Sequence, residues 1–163
     1  MLTGLNLLHI LSRSSNDTLL LKYLVANGVS LNKKDDQGNS PVSIAVERNN
    51  NTALGLYILN QADFSVIDNE GATLLHKAVE HEDWQLMELL LKQKVDINTL
   101  NNEGMTALHL AAMSGESINF IKKMLAAGAD KNIPTEFGEN AYDLANENEL
   151  MNKNPKDLKI LVP

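Results

Sequence analysis

Three of the four histidines share one place in a repeating frame. His9, His76 and His109 each stand five residues after a glycine, namely Gly4, Gly71 and Gly104. Imidazoles placed this regularly have the chemistry of metal ligands or general bases. Spacing argues against both. His76 and His109 are 33 residues apart, and helix pairs repeated at that interval stack roughly 10 Å from one another. Ligands of one metal must each approach it to about 2 Å. The chain has no cysteine, and no carboxylate recurs beside the histidines. Each ring is expected just inside a helix start, with its nitrogens bonded to backbone groups of adjoining turns.

The fourth histidine lies in a polar knot, Glu80-His81-Glu82-Asp83, next to Trp84. Carboxylates beside an imidazole raise its pKa, so an acid/base pair or metal site centred on His81 is one reading. A solvated loop between two helices, with Trp84 opening the second, is the other and the preferred one. No nucleophile elbow, phosphate-cradling glycine loop or paired-carboxylate constellation appears at a useful spacing. An enzyme is therefore not expected, and neither is a cofactor or a metal.

The elements that position these residues are clearest in 101–115, NNEGMTALHLAAMSG. Asn101-Asn102-Glu103-Gly104 is turn chemistry. Thr106 stands where a helix N-cap belongs. Leu108, Ala111 and Ala112 then follow at i, i+3 and i+4, a narrow apolar face that lets another helix approach closely. A second apolar run over 118–125 ends at Gly128, a helix stop. Turn, short helix, longer helix and loop make one unit, which cannot bury both faces alone.

The unit recurs. The turn glycines are Gly4, Gly38, Gly71, Gly104 and Gly138, at intervals of 34, 33, 33 and 34 residues. Seven residues after them stand Leu11, Ala45, Ala78, Ala111 and Ala145. Second helices are expected around 19–25, 53–59, 87–91 and 121–125. The exits also match: Asn27-Gly-Val-Ser-Leu-Asn32, Lys94-Val-Asp-Ile-Asn98 and Ala127-Gly-Ala-Asp-Lys-Asn132. A fixed period of this length marks a solenoid.

The chain resembles the ankyrin repeat family, whose period is about 33 residues with a T-P-L-H-x-A pattern. Its versions here are Ser40-Pro-Val-Ser-Ile-Ala45, Thr73-Leu-Leu-His-Lys-Ala78 and Thr106-Ala-Leu-His-Leu-Ala111, with a degenerate Asn140-Ala-Tyr-Asp-Leu-Ala145. The resemblance implies an all-α solenoid of helix-turn-helix units with protruding turn tips. One domain, 1–163, is expected, with repeats near 1–34, 35–67, 68–100 and 101–134 and a C-terminal cap over 135–163. Asn16 or Asp17 opens the second helix of repeat one. Repeat two carries Gly55 inside a helix, at about 1 kcal/mol against alanine unless close packing needs it, and ends in Gln61-Ala62 where repeats one and four have Gly28 and Gly128. Asn154 and Pro155 read as N-cap and first residue of a final helix. The short lead before Gly4 is expected of a chain that starts inside a longer array, or else of a short N-terminal cap.

Composition narrows the partner. Of 163 residues, 21 are acidic and 14 basic, a net charge of −7, which disfavours nucleic acid and anionic membranes. Aromatics make up only 4%, leaving little for base stacking. No apolar run approaches the ~18 residues of a membrane span. The start, MLTGLNLLHILSRSS, lacks the basic flank and cleavage site of a signal peptide, so a cytoplasmic monomer is expected.

The ankyrin resemblance further implies a concave binding side made of turn tips and first-helix positions. Carried over by position, it marks Asp36, Gln37, Asn39, Glu47 and Arg48 in repeat two, and Asn69, Glu70, Ala72, Glu80 and His81 in repeat three. Asn102, Glu103, Met105, Met113 and Ser114 follow in repeat four, then Glu136, Phe137, Glu139, Glu147 and Asn148. Acids dominate this set and Arg48 is its one permanent cation, while Lys22, Lys92, Lys122 and Lys123 fall on second helices. The expected function is non-catalytic binding of a protein or peptide, a basic segment suiting the charge, with Met105, Met113 and Phe137 as apolar anchors. A spacer within a longer array is the competing reading.

Overall fold

A computed structural model describes residues 5–14, 17–65, 68–93, 95–114, 118–148 and 155–162. Gly4, Asn16 and Asn154, to which the sequence assigns a turn, a helix start and a cap, lie outside the described residues. The chain forms two compact units, Met1–Glu70 and Gly71–Pro163.

In the first unit, α1 (Leu7–Ser14) and α2 (Thr18–Ala26) form one helix pair, and α3 (Pro41–Glu47) and α4 (Asn51–Leu59) form the next. Helix α3 packs on α1 and α4 on α2. The second unit holds α5 (Leu74–Glu80) with α6 (Trp84–Lys92), α7 (Ala107–Ser114) with α8 (Ile118–Ala126), then α9 (Ala141–Glu147) and the short α10 (Pro155–Leu158). First helices stack in the order α5, α7, α9. This is an all-α repeat architecture.

Caps fix where each helix starts. The hydroxyl of Ser40 accepts the Ser43 N–H, Thr73 Oγ1 that of His76 and Thr106 Oγ1 that of His109. Asp17, Asn50 and Asp83 cap the second helices in the same way, accepting from Leu20, Ala53 and Leu86. Each such contact satisfies a backbone donor the helix cannot, and removing one costs about 1 kcal/mol. Those caps are why the second helices begin earlier than the apolar runs alone suggest.

Ala45, Ala78, Ala111 and Ala145 are all buried, as the small-residue helix face requires. Between paired helices, Asn49 and Glu82 take left-handed backbone, with φ of 52° and 51°. Gln61 does the same at 56° where repeats one and four have glycine. Gly55 faces open space: a Cβ there would meet nothing within 4 Å. Close packing does not explain it. At the far end, Leu158 and Leu161 are buried and α10 packs on α9, while Lys131 Nζ donates to the carbonyls of Ile160 and Val162.

Candidate partner-binding surface

The turn tips are built by one recurring device. Asp35 Oδ1 accepts the N–H groups of Gln37 and Asn39, both at 2.9 Å. Asn101 Oδ1 accepts those of Glu103 and Met105 at 3.0 and 2.9 Å, and Thr135 Oγ1 those of Phe137 and Glu139. A backbone bond from Asn101 N to Met105 O, repeated from Asp35 to Asn39 and Thr135 to Glu139, closes each loop. Tips held from both sides present the next residues outward.

Glycine is needed where one tip lies on the next. Gly104 has φ 71°, and a Cβ there would stand 2.8 Å from Cγ of Glu136. At Gly71 the backbone N of Asn102 would be 2.9 Å away. Neighbouring tips therefore touch, and Glu136 lies over the residue that follows Glu103. In the first unit Asn69 Nδ2 donates to Gln37 O at 2.6 Å.

The histidines carry the same stacking inward. His76 Nδ1 accepts the Thr73 N–H at 3.0 Å, and its Nε2–H donates to Met105 O at 2.9 Å. His109 repeats this with Thr106 N and with Ile133 O. His9 does so with Asn6 N and Asn39 O. All three rings are buried and spend both nitrogens on backbone, in the neutral tautomer with the proton on Nε2. Burial depresses the His109 pKa, against the bond to Ile133 O and with the aid of nearby His76. Among the described residues, no three His, Cys, Asp or Glu gather as a metal would need. His81 is exposed and closes α5, its N–H bonded to Lys77 O.

The marked surface residues divide. Asp36, Gln37, Glu47, Arg48, Asn69, Glu70, Glu80, Asn102, Glu103, Met113 and Glu136 are exposed, and Phe137 is 85% so. Asn39 and Met105 are half-buried, and their carbonyls take the His9 and His76 bonds above. Ala72 corrects the expectation: it is buried beneath the tip, not presented on it. Arg48, the one permanent cation of the marked set, pairs with Glu47 at 3.5 Å, and Lys77, a cation outside that set on α5, meets Glu80 at 3.3 Å. Lys33 and Lys34 are exposed just before the Asp36 tip. Their charges were legible in the sequence, but an alignment on the glycines passes over them.

A different concavity, about 630 Å³, opens on the second helices of the second unit between Glu82, Trp84, Asn119, Phe120 and Lys123. Trp84 and Phe120 meet edge to face at 5.3 Å. Lys123 lies 5.8 Å above the Trp84 ring and bonds Glu88 at 2.9 Å, which holds the Glu88 carboxyl below its usual range. No described helix is long and apolar enough to cross a membrane.

A family model described as ankyrin repeats (3 copies) matches residues 43–135, and another, ankyrin repeats (many copies), matches 8–54. No curated protein matches the chain. Stacked helix pairs, glycine tips at one interval and histidine ties between neighbours agree with the family match; ankyrin repeats serve in general as non-enzymatic protein–protein interaction modules, and this chain belongs to the ankyrin repeat family.

Proposed function

We propose that the chain binds a basic, extended segment of another protein through its turn tips, and most strongly through those of the second unit. The observation that carries this reading is the Glu103–Glu136 step. Contact between the Glu136 side chain and Gly104 sets two carboxylates on adjoining tips, and Phe137 stands beside them almost fully exposed. Acids flanking an exposed aromatic suit a partner with Lys or Arg bracketing an apolar residue. Within the second unit Glu80 adds to the acidic set, while Lys77 tempers it; in the first unit Asp36, Glu47 and Glu70 form an acidic set of their own, tempered by Lys33, Lys34 and Arg48. No step of chemistry is required of His81.

The test is binding of a panel of Lys/Arg-rich and matched neutral peptides by the parent and by Glu103→Lys/Glu136→Lys/Phe137→Ala. Preference of the parent for the basic set, with at least about tenfold loss in the variant (about 1.4 kcal/mol), supports the reading. Equal binding by both proteins sinks it. Failure of either protein to bind any peptide would favour the spacer alternative.

A further inference from the structure

The chain contains a single Asn-Gly dipeptide, Asn27-Gly28, at the end of α2. Asparagine is chemically labile, and most so before glycine, which puts no Cβ in the path of its own backbone nitrogen. Both residues are exposed to water. The fold nonetheless holds them apart from the reaction in three ways. Gly28, at φ 76°, is the left-handed residue that ends the helix. Its N–H donates to Val25 O at 3.0 Å, and the Val29 N–H donates to Leu24 O at 3.1 Å, a Schellman pattern. Asn27 Nδ2 donates to Tyr23 O at 2.7 Å, so the side-chain amide is tied back to the helix. Finally, Asn27 has ψ 14°, which nearly eclipses the Gly28 nitrogen with that of Asn27 itself. On a tetrahedral Cα the arm that carries Cγ then lies about a third of a turn away.

Helix α4 supplies the comparison. Asn60 caps it with ψ 20°, and its Nδ2 donates to Leu56 O at 2.8 Å. The next residue is Gln61, whose side chain hinders the same attack. One cap geometry serves both helices, but only that of α2 covers a reactive pair. We propose that Asn27 is a deamidation site gated by the opening of α2. The helix has nine residues, short enough to open as one piece. Once it opens, the Gly28 nitrogen gives its proton to hydroxide and attacks Asn27 Cγ. A new C–N bond forms, the Cγ–Nδ2 bond breaks, and the nitrogen leaves as ammonia with a proton from water, which restores the hydroxide. Water then opens the five-membered imide at either carbonyl, giving an aspartate or an isoaspartate. Both products lack the amide donor to Tyr23 O and set a carboxylate at a helix C-terminus, where the macrodipole disfavours it. The isoaspartate also adds a backbone methylene inside the Leu24–Val29 turn. Conversion therefore hinders α2 from closing again.

Peptide mapping by mass spectrometry, with isoaspartate scored separately, tests this on the full chain at mildly alkaline pH, folded and in denaturing urea. In urea, Asn27 should convert faster than Asn60 and every other asparagine. In the folded chain its conversion should be slower by at least about tenfold, because only the locally open state reacts. Asp17→Ala, which removes the cap that starts α2, should speed Asn27 several-fold in the folded chain and leave Asn60 unchanged. If that variant loses its helix signal, urea below the unfolding transition of the parent is read in its place, and Asn27 should accelerate before the transition begins. Equal rates in the folded and unfolded chain overturn the proposal. So does an Asn27 no faster than other asparagines in urea, or a folded rate indifferent to the opening of α2.

Discussion

At the scale of the residue, the histidines are the most informative side chains, because one geometry answers both the chemical and the structural question. Each ring accepts a backbone N–H at its own helix start and donates to a carbonyl beyond its own helix pair, that of Asn39, Met105 or Ile133. A protonated His109 would point a second N–H at the Thr106 N–H, and burial already opposes its charge. The folded chain thus binds that proton at a pH below the ordinary 6.5, whereas the unfolded chain binds it near 6.5. Above 6.5 both states carry a neutral ring and the site contributes no pH dependence. Below it the unfolded state holds more protons, so stability falls as pH drops towards the folded value. His109→Ala should remove that part of the acid dependence and cost about 1–3 kcal/mol at neutral pH, by leaving the Ile133 carbonyl and Thr106 N–H without their partner. Chemical denaturation of parent and variant at pH 7.5 and 5.5, values that straddle the ordinary imidazole range, checks both parts. A variant as acid-sensitive as the parent would place the titrating group elsewhere.

At the scale of the element, most of the architecture was readable because repetition multiplies weak signals. A single Gly104 or Thr106 says little, but five glycines at 33 or 34 residues fix a register, and the register locates each histidine and buried alanine. What escaped were contacts without a periodic signature. Ser12 Oγ and Tyr57 Oη meet at 2.6 Å in the interior of the first unit, and Asn50 Nδ2 reaches back to the carbonyls of Leu11 and Ser12. Such pairs are set by three-dimensional proximity of groups 38 to 45 residues apart, which spacing within one repeat does not encode. Gln61 in left-handed backbone escaped for a related reason: local propensity favours glycine there, and the surrounding turn overrides it. The site was legible only as positions. Which of them spend their polar groups internally, as Asn39 and Met105 do, required the fold. Helix α4 offers a clean element-scale test. Gly55 is helical, exposed and free of steric need, so Gly55→Ala should stabilise the chain by about 0.5–1 kcal/mol. Denaturant midpoints at constant m-value would measure it. A loss of stability would mean that the glycine answers a packing demand.

At the scale of the whole molecule, sign and placement of charge matter more than any one ion pair. The net charge of −7 is uneven in repeats three and four, whose tips carry Glu70 and Glu103 and whose second helices carry Lys92 and Lys122; Glu136 continues the acidic tips. Exposed pairs such as Lys77–Glu80 and Arg48–Glu47 are worth little individually. Summed fields still act at a distance, because the tip carboxylates attract a cationic partner before contact. If the tips are the docking site, association with a basic peptide should be steered, and its rate should fall steeply as salt shortens the screening length from about 30 Å at 0.01 M to about 8 Å at 0.15 M. Dissociation depends on short-range contacts, Phe137 foremost, and should respond far less. Stopped-flow measurement of both rates over that range separates the two contributions. Glu103→Lys/Glu136→Lys should flatten the salt dependence of association, and Phe137→Ala should speed dissociation while leaving that dependence in place. An association rate indifferent to salt in the parent would mean that the acidic tips do not guide the encounter, and the docking surface would have to be sought on an uncharged face of the array.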